Sequence, residues 1–435
     1  MSTASAIKYL RLYLHVPDGS RRLVGYLSQY GDILRLSFER SYIEDSGRPL
    51  LSLGYRGASE ADTRAILESS NDERLVRTDG RWPVYFQNLL PEGRNRERLA
   101  ALRHCSPHDE FELLAAAGRD LMGAVEVEPV PEAQGLPQVV RHWHTALGLD
   151  TLAPTPVEMP VEDAASLPGV VVKFSAVMEG RRYVVKRHGQ AGSVILKLPS
   201  SRHPDLVINE YAGYRLCAAL GLECAQARVI SRADAQLPES VPFGDILAVQ
   251  RFDRGPGGTR FHMEEFAQAL QYPPRNKYGR GVMQDYSAML RVLDQLSVRP
   301  VQDVREFIGR FVAFILMGNT DAHLKNWALI YANGRDPQLS PLYDPVCITA
   351  FFENVPAQDY AVNRAIDKTL RAFDWAQFEA LLKAARLLRV SRHLQLARET
   401  VRQAQSEWPA LLGDAPEAMQ RSILERLGGG VALAA

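Results

Sequence analysis

The stretch "GNTDAHLKNWALIY" follows directly on the apolar run "EFIGRFVAFILM" and gathers four polar side chains: Asp321, His323, Lys325 and Asn326. A second acid, Asp344, follows in "PLYD". A carboxylate can accept the proton of an attacking hydroxyl, while an amide oxygen and a second carboxylate can hold Mg²⁺. The spacing D-x-x-x-x-N followed by a later Asp therefore favours phosphoryl-transfer chemistry.

The spacing alone is also typical of a capped loop with solvated charges, so a second group is needed. Lys197 lies in the apolar strand pattern "VILKLP", where an ammonium without a partner would be costly. Glu210, in the next helical segment "INEYAGYRL", is placed to pair with it. The alternative is a lysine that points to solvent from a half-exposed strand.

Bulk composition excludes some function classes. The 51 basic residues equal the 51 acidic residues, so there is no global positive field, and contact with nucleic acid would have to be local or made by a partner. Four widely spaced cysteines fit reduced thiols. The N-terminus lacks a signal-peptide pattern, and the run "FVAFILMG" is far shorter than the roughly 20 residues that span a bilayer. We expect a soluble, cytoplasmic protein with no membrane contact.

The hydrophobic patterning predicts four segments. Residues 1–128 begin with three strands ("YLRLYLHV", "RLVGYLSQ" and "ILRLSFER") that form a small antiparallel sheet, and helices follow. Residues 129–165 are rich in Pro, Ala and Glu and are expected to connect domains with limited structure of their own. Residues 166–262 predict three strands, a helix and two strands. Residues 263–435 are mostly helical, with short strands at "WALIY" and "LSPLYDP".

This order predicts an α+β fold of the two-lobed protein-kinase type. A small β-rich N-terminal subdomain would precede a small lobe made of a sheet with one helix. A large helical C-terminal lobe would then carry the polar loop that holds Asp321.

Five segments together, "FQNLLPEG", "NEY", "VQRFDR", "GNTDAHLKN" and "PLYD", resemble the HipA family of serine/threonine kinases, the toxins of type II toxin–antitoxin systems. The resemblance covers about residues 8–400. It implies that Asp321 is the catalytic base and that Asn326 and Asp344 are the Mg²⁺ ligands. It also implies that Lys197, supported by Glu210, contacts the phosphates of ATP, with His323 beside them.

The same resemblance implies further nucleotide contacts. Gln250 and Phe252 in "VQRFDR" match the segment between lobes that touches adenine, although ordinary core packing is an equal explanation for Phe252. Tyr343 and Gln268 match positions near the nucleotide. Asp253 and Arg254 match positions that support the active site.

The phosphate-covering loop departs from the family pattern, which is a Ser followed by a G-x-Q-x-K stretch. The segment "SLPGVVVKFS" keeps Ser166, Gly169 and Lys173 but has valines at 170–172, which favour a strand over a loop. Gly169 can still bring backbone N–H groups close to phosphate, and Lys173 can still offer charge. The resemblance makes Ser166 the site of autophosphorylation; a cap before Pro168 is the alternative.

The resemblance implies an ATP- and Mg²⁺-dependent kinase that phosphorylates itself and a translation component, with an aminoacyl-tRNA synthetase as a possible substrate, and so arrests growth and promotes persistence. A HipB-like helix-turn-helix antitoxin would be its partner, and DNA would be reached only through that partner. Two alternatives stay open. One is a small-molecule phosphotransferase, which shares the D-x-x-x-x-N loop but not "LLPEG". The other is a pseudokinase scaffold whose valine-rich loop no longer binds phosphate productively.

Overall fold

The structure is a computed structural model that describes residues 5–130, 135–141, 152–161, 173–179, 182–185, 192–199, 203, 205–237, 244–352 and 363–435. Within these ranges, no helix combines the length and the apolar content needed to cross a bilayer.

The first unit is built on an antiparallel sheet, as predicted. Its strands are β1 Ser5–His15, β2 Arg21–Tyr30, β3 Ile33–Phe38, β4 Val76–Arg77 and β5 Val125–Pro129, in the order β4-β3-β2-β1-β5. Five helices accompany it: α1 Arg40–Glu44, α2 Glu60–Leu67, α3 Val84–Leu89, α4 Gly93–Arg103 and α5 Glu110–Ala117. Leu10, Leu12 and Leu14 alternate along β1 and are fully buried, because successive residues of a strand face opposite sides.

The connecting segment is more ordered than expected over residues 152–161. Its strand β6, Leu152–Pro154, pairs in parallel with the first residues of β1, beyond the stretch that β5 covers. The Val161 N–H donates to Ala116 O (3.0 Å). An unpaired sheet edge offers backbone donors and acceptors, which explains why this Pro-rich segment lies along it.

The second sheet confirms the predicted order of three strands, a helix and two strands. Its members are β7 Lys173–Glu179, β8 Arg182–Val185, β9 Val194–Lys197, β10 Ala227–Ile230, β11 Ala235–Gln236 and β12 Ile246–Gln250, in the order β10-β12-β9-β7-β8-β11. Helix α6, Leu206–Ala219, contacts β10 and β12. The short strand β11, parallel to β8, was not predicted.

The large lobe is helical around a small antiparallel sheet. The helices are α7 Phe266–Ala269, α8 Val282–Leu296, α9 Pro300–Met317, α10 Arg364–Ala372, α11 Trp375–Ala384, α12 Val390–Leu411 and α13 Glu417–Glu425, and the strands are β13 His262–Glu265, β14 Ala328–Tyr331 and β15 Gln338–Leu339. Helix α9 is the centre of the core, since its residues 311–317 are all buried.

Two predictions for this lobe were wrong. The strand expected over "LSPLYDP" ends at Leu339, because Pro341 has no N–H with which to continue the ladder. The strand His262–Glu265 lies where helix was expected, and the predicted boundary between residues 262 and 263 falls inside it. It pairs with β14, so it belongs to the large lobe.

A buried carboxyl group joins the N-terminal unit to the large lobe. Glu264 of β13 accepts hydrogen bonds from Ser52 Oγ (2.6 Å), from the Leu53 N–H (2.9 Å) and from the Tyr331 hydroxyl. Burial still raises the pKa of Glu264 to about 7, because the three donors only partly replace water.

The buried Glu264 should make stability depend on pH. Its folded-state pKa of about 7 lies above the ordinary 4.5, so the folded chain keeps a proton that the unfolded chain releases over this window. This contribution is fully present below pH 4.5 and is lost as the pH rises to about 7. Between pH 4.5 and pH 7, the free energy of unfolding should therefore fall by about 3 kcal/mol less in Glu264→Gln than in wild type. Urea unfolding at both pH values measures the difference. The exposed Glu179→Gln should keep the wild-type pH profile, and identical profiles for all three proteins would contradict the assignment.

Helix α9 ends in a glycine that turns the chain into the polar loop. Gly318 has a φ of 74°, its N–H donates to Ile315 O (3.3 Å), and the Asn319 N–H donates to Phe314 O (3.0 Å), which is a Schellman cap. A Cβ here would lie 2.1 Å from Thr349 Oγ1 and 2.8 Å from Arg426 Nε. The Arg426 guanidinium also donates to Ile315 O (2.8 Å) and pairs with Asp367, so the C-terminal region closes the end of α9.

Gly318→Ala should therefore lower the free energy of unfolding by about 1–3 kcal/mol, because alanine disfavours this backbone conformation and its Cβ meets Thr349 and Arg426. Gly413→Ala is the matched control, since a Cβ there would meet nothing within 4 Å. Chemical unfolding of both variants measures the difference; equal stabilities would show that the cap can rearrange at no cost.

Candidate active site

Lys197 of β9 is held between two carboxylates. Its Nζ lies 2.5 Å from Glu210 Oε1, on α6, and also donates to Asp344 Oδ1. Burial by itself lowers the pKa of Lys197, but the charges of Asp344 and Glu210 outweigh burial and raise the pKa above its ordinary value. The predicted contact between Lys197 and Glu210 is present, and the lysine stays charged.

Helix α6 packs closely against the segment that follows Asp344, and this packing brings Glu210 near Asp344. Asn209 Oδ1 accepts from the Cys347 N–H (2.8 Å), and its Nδ2 donates to Cys347 O (3.1 Å). A Cβ on Gly213 would lie 1.8 Å from Pro345 O, so only glycine permits this approach.

Asp344 is a charged acid in an uncommon backbone conformation. Its φ is 54°, a region that residues other than glycine rarely adopt and that recurs at functional sites. Lys173 Nζ lies 3.6 Å from Asp344 Oδ2, whereas Lys197 contacts the other carboxylate oxygen, Oδ1. Burial opposes ionisation, but the two ammonium groups outweigh it and hold the pKa of Asp344 well below its usual range.

The loop after α9 is fixed by its own hydrogen bonds. Asp321 Oδ1 accepts from the Tyr278 hydroxyl (2.6 Å). Asn326 Nδ2 donates to the backbone oxygen of Asp321 (2.7 Å). The donor nitrogen of the Asn326 amide is thus used inside the loop, and its oxygen is the atom that could bind a metal ion.

A single amide links the two segments that carry the candidate acids. Asn319 Oδ1 accepts from the Asp321 N–H (3.1 Å), and its Nδ2 donates to the backbone oxygen of Asp344 (3.4 Å). Asn319 is fully buried, as a residue that holds two loops together should be. The predicted base and the predicted metal ligand therefore sit on neighbouring segments.

His323 lies beside the candidate base as a neutral imidazole. Its Nε2 is 3.7 Å from Asp321 Oδ1, and its ring packs edge-on against the ring of Tyr278, with centroids 5.3 Å apart. Burial lowers the pKa of His323 to about 4, so the ring carries no charge at neutral pH. Its predicted place beside the phosphates stays a prediction.

The other predicted nucleotide contacts fall into two groups. Phe252 lies against Tyr343, with ring centroids 5.7 Å apart, and Gln250 ends β12 with an exposed side chain. Gln268, in contrast, is buried and makes two contacts with backbone: its Nε2 donates to Tyr85 O (3.1 Å) and its Oε1 accepts from the Glu265 N–H (2.9 Å). Gln268 thus ties the N-terminal unit to the large lobe.

The predicted phosphate loop can be placed only in part. Lys173, at the start of β7, faces Asp344. Ser166, Gly169 and the three valines lie outside the described residues.

A buried charge cluster beside the loop was not predicted. Lys325 Nζ lies 2.9 Å from Glu92 Oε1 and 3.3 Å from Glu265 Oε2, and it donates a hydrogen bond to Asn88 O (3.2 Å). Burial raises the pKa of Glu265 to about 7. Burial also opposes ionisation of Glu92, but Lys325 and Lys277 outweigh it and lower the pKa of Glu92 to about 2. The sequence did carry one sign of this cluster: Lys325 lies between Leu324 and Trp327, two apolar residues that are buried, and such a lysine needs a counter-charge. The acid that supplies it, Glu92 in "LLPEG", lies far away in sequence.

A second buried network joins the N-terminal unit to the small lobe. Asp120 of the N-terminal unit accepts from Arg251 Nη1 (2.9 Å), Arg254 Nη2 (3.2 Å) and Ser175 Oγ (2.6 Å). Asp253 pairs with both arginines. The predicted support of the active site by Asp253 and Arg254 stays a prediction, and Asp120 is a member of this network that was not predicted.

The arrangement fits a magnesium-assisted reaction. Among the described residues, no group of three or more His, Cys, Asp and Glu side chains could hold a metal ion alone. Asn326 and Asp344 instead offer one amide and one carboxylate oxygen. Mg²⁺ is commonly bound by such a pair together with waters and substrate phosphates.

Comparison with known sequences matches both parts of the chain. Residues 165–408 match the HipA-like C-terminal domain, and residues 19–128 match the HipA N-terminal domain. The chain is 34% identical over 386 residues to the Sinorhizobium fredii protein Y4dM, which is provisionally named a kinase, with 86% of each protein covered. It is 26% identical over 345 residues to the serine/threonine-protein kinase toxin HipA of Shewanella oneidensis, with 74% of this chain and 76% of that protein covered.

A solved structure shows the same fold. It is titled as the Shewanella oneidensis MR-1 toxin–antitoxin system HipA, HipB and its operator DNA complex. One of its chains matches with a TM-score of 0.65 at 20% sequence identity, covering 97% of this chain and 96% of that chain. The predicted two-lobed, kinase-like α+β fold is confirmed.

Lys197→Met should fold but lose about 3–5 kcal/mol of stability, because Glu210 and Asp344 would then face each other without the ammonium between them. The deficit should shrink as the pH falls from 7 to 5, since Glu210, whose pKa burial already raises, can then take up a proton. Urea unfolding at both pH values checks this. Lys197→Met/Glu210→Gln should recover part of the loss at pH 7; a deficit independent of pH and of Glu210 would contradict the electrostatic cause.

Proposed function

This chain belongs to the HipA family, and we propose that it is an ATP- and Mg²⁺-dependent protein serine/threonine kinase that acts as the toxin of a toxin–antitoxin pair. The observation that carries the proposal is the contact of Lys197 with both Glu210 and Asp344, next to the loop that Asn319 ties to Asp344. This contact supports the proposal because it puts a cation that can neutralise phosphate charge beside Asp344, the proposed metal ligand, and the loop of the proposed base is tied to the same segment.

In the proposed reaction, the oxygen of a substrate hydroxyl attacks the terminal phosphorus of ATP, and Asp321 accepts the proton of that hydroxyl. The bond between the terminal phosphorus and the bridging oxygen breaks, and ADP leaves with that oxygen. The Tyr278 hydroxyl holds one oxygen of Asp321, which orients the carboxylate. Lys197 neutralises phosphate charge, and Glu210 keeps its ammonium in place. Asn326 and Asp344 would hold Mg²⁺, which when bound offsets negative charge on the transferred phosphoryl group.

The remaining nucleotide contacts follow the family pattern. We assign the adenine-facing side to Gln250, Phe252 and Tyr343, where two rings already lie together. Lys173 and His323 would lie beside the phosphates, and Gln268 would lie near the nucleotide. Ser166 and Gly169 remain proposed as autophosphorylation site and phosphate-loop glycine.

The proposed partner is a HipB-like helix-turn-helix antitoxin, through which DNA would be reached. The related Shewanella oneidensis chain, solved together with HipB and operator DNA, supports this. The proposed substrate is a translation component such as an aminoacyl-tRNA synthetase. All four cysteines are free thiols, which supports action in a reducing compartment such as the cytoplasm.

Asp321→Asn should lower the rate of phosphoryl transfer by roughly 100-fold to 10,000-fold, the range typical of a lost general base, while folding normally because asparagine can still accept from Tyr278. Transfer of labelled phosphate from ATP to the chain itself and to a bacterial lysate measures the effect.

The exposed Asp294→Asn is the matched control and should keep wild-type activity. Transfer to small molecules but not to protein would favour a small-molecule phosphotransferase, and unchanged transfer by Asp321→Asn would refute the assigned base.

A further inference from the structure

Lys325 occupies a position from which it can fix the whole catalytic loop. It is buried, and it stands directly before Asn326, whose amide holds the Asp321 backbone. Its own backbone oxygen accepts from the Tyr343 hydroxyl (2.9 Å). The anchor of its Nζ therefore sets the position of both the proposed base and a proposed metal ligand.

Most of that anchor comes from the N-terminal subdomain. Asn88 and Glu92 contact the ammonium at 3.2 Å and 2.9 Å, and Glu265 of the large lobe contacts it at 3.3 Å. A buried ammonium is stable only with counter-charge and hydrogen bonds around it. Glu92 is also 3.8 Å from Lys277, the neighbour of Tyr278, which holds Asp321. The Glu92 carboxylate thus touches two segments that meet at the proposed base.

The N-terminal side of this contact is held by packing and by hydrogen bonds. Leu89 and Leu90 are buried, and Pro91 then restricts the backbone immediately before Glu92. Asn88 Nδ2 donates to Val84 O (3.0 Å) and to Tyr272 O (2.9 Å). The "LLPEG" segment therefore presents its carboxylate from a fixed backbone.

We propose that Glu92 is a positioning residue of the catalytic loop, which it holds through Lys325, so that the N-terminal subdomain completes the active site. The catalytic consequence rests on the proposed function; the anchor itself does not. Removing the carboxylate loosens the loop that carries Asp321 and Asn326. It leaves Lys197 and Glu210, which lie on β9 and α6, unchanged.

The test uses the whole 435-residue chain with Glu92→Gln and with Glu97→Gln, an exposed acid on helix α4, which begins directly after Glu92. Glu92→Gln should lower kcat for phosphoryl transfer on the order of 10-fold to 100-fold, the loss typical of a misplaced catalytic group, with KM for ATP changed less than threefold. Glu97→Gln should match wild type. Lys325→Met and the double variant Glu92→Gln/Lys325→Met should lower kcat by about the same factor, since both remove the contact between Glu92 and Lys325.

Amide hydrogen exchange of the peptide that covers residues 319–327 provides a readout that needs no activity. Exchange should be faster in Glu92→Gln than in Glu97→Gln and wild type, while peptides from β1 and β2 should exchange as before. Unchanged exchange, or faster exchange with unchanged kcat, would overturn the proposal. If wild type itself transfers no phosphate, the proposed function fails, while the exchange comparison still decides whether Glu92 anchors the loop.

Discussion

A buried ammonium needs a carboxylate beside it, and in this molecule that requirement fixes how the lobes meet. Lys197 comes from the small-lobe sheet, Glu210 from the helix behind it and Asp344 from the segment after β15. None of the three could be buried alone without a large desolvation cost. Their contact therefore links three distant parts of the chain, and the loop of Asp321 is joined to the same place by Asn319.

The N-terminal subdomain is bound to the rest of the chain by the same kind of interaction. Asp120 meets two arginines, Glu92 meets Lys325, and Ser52 meets Glu264, all across the boundary between units. Charged and polar contacts of this kind are directional, and several of them together specify one orientation. The subdomain is thus structurally part of the kinase-like body, consistent with family matches on both sides of the connecting segment.

Local patterns predicted much of the fold, because alternation and helical spacing depend on nearby residues. Lys197 was recognisable since an ammonium inside "VILKLP" demands a partner, and the D-x-x-x-x-N spacing marked the loop. Glu92 and Asp120 could not be assigned in this way, because their partners lie far away in sequence, and the contact of Asn319 with Asp344 was missed for the same reason. The strand His262–Glu265 was missed for the same reason: its register exists only through β14. Gln268 is a different case, since a residue that was matched to a nucleotide position also makes two hydrogen bonds to backbone groups.

The closure of helix α9 by Arg426 has a consequence for the order in which the molecule is made. The guanidinium that holds Ile315 and Asp367 lies about a hundred residues downstream of Gly318. Chains emerge from the ribosome N-terminus first, and domains fold as units. The C-terminal end of helix α9 therefore stays open from its own synthesis until about a hundred further residues have been added, and the polar loop that follows it is closed off only after helix α13 has been made.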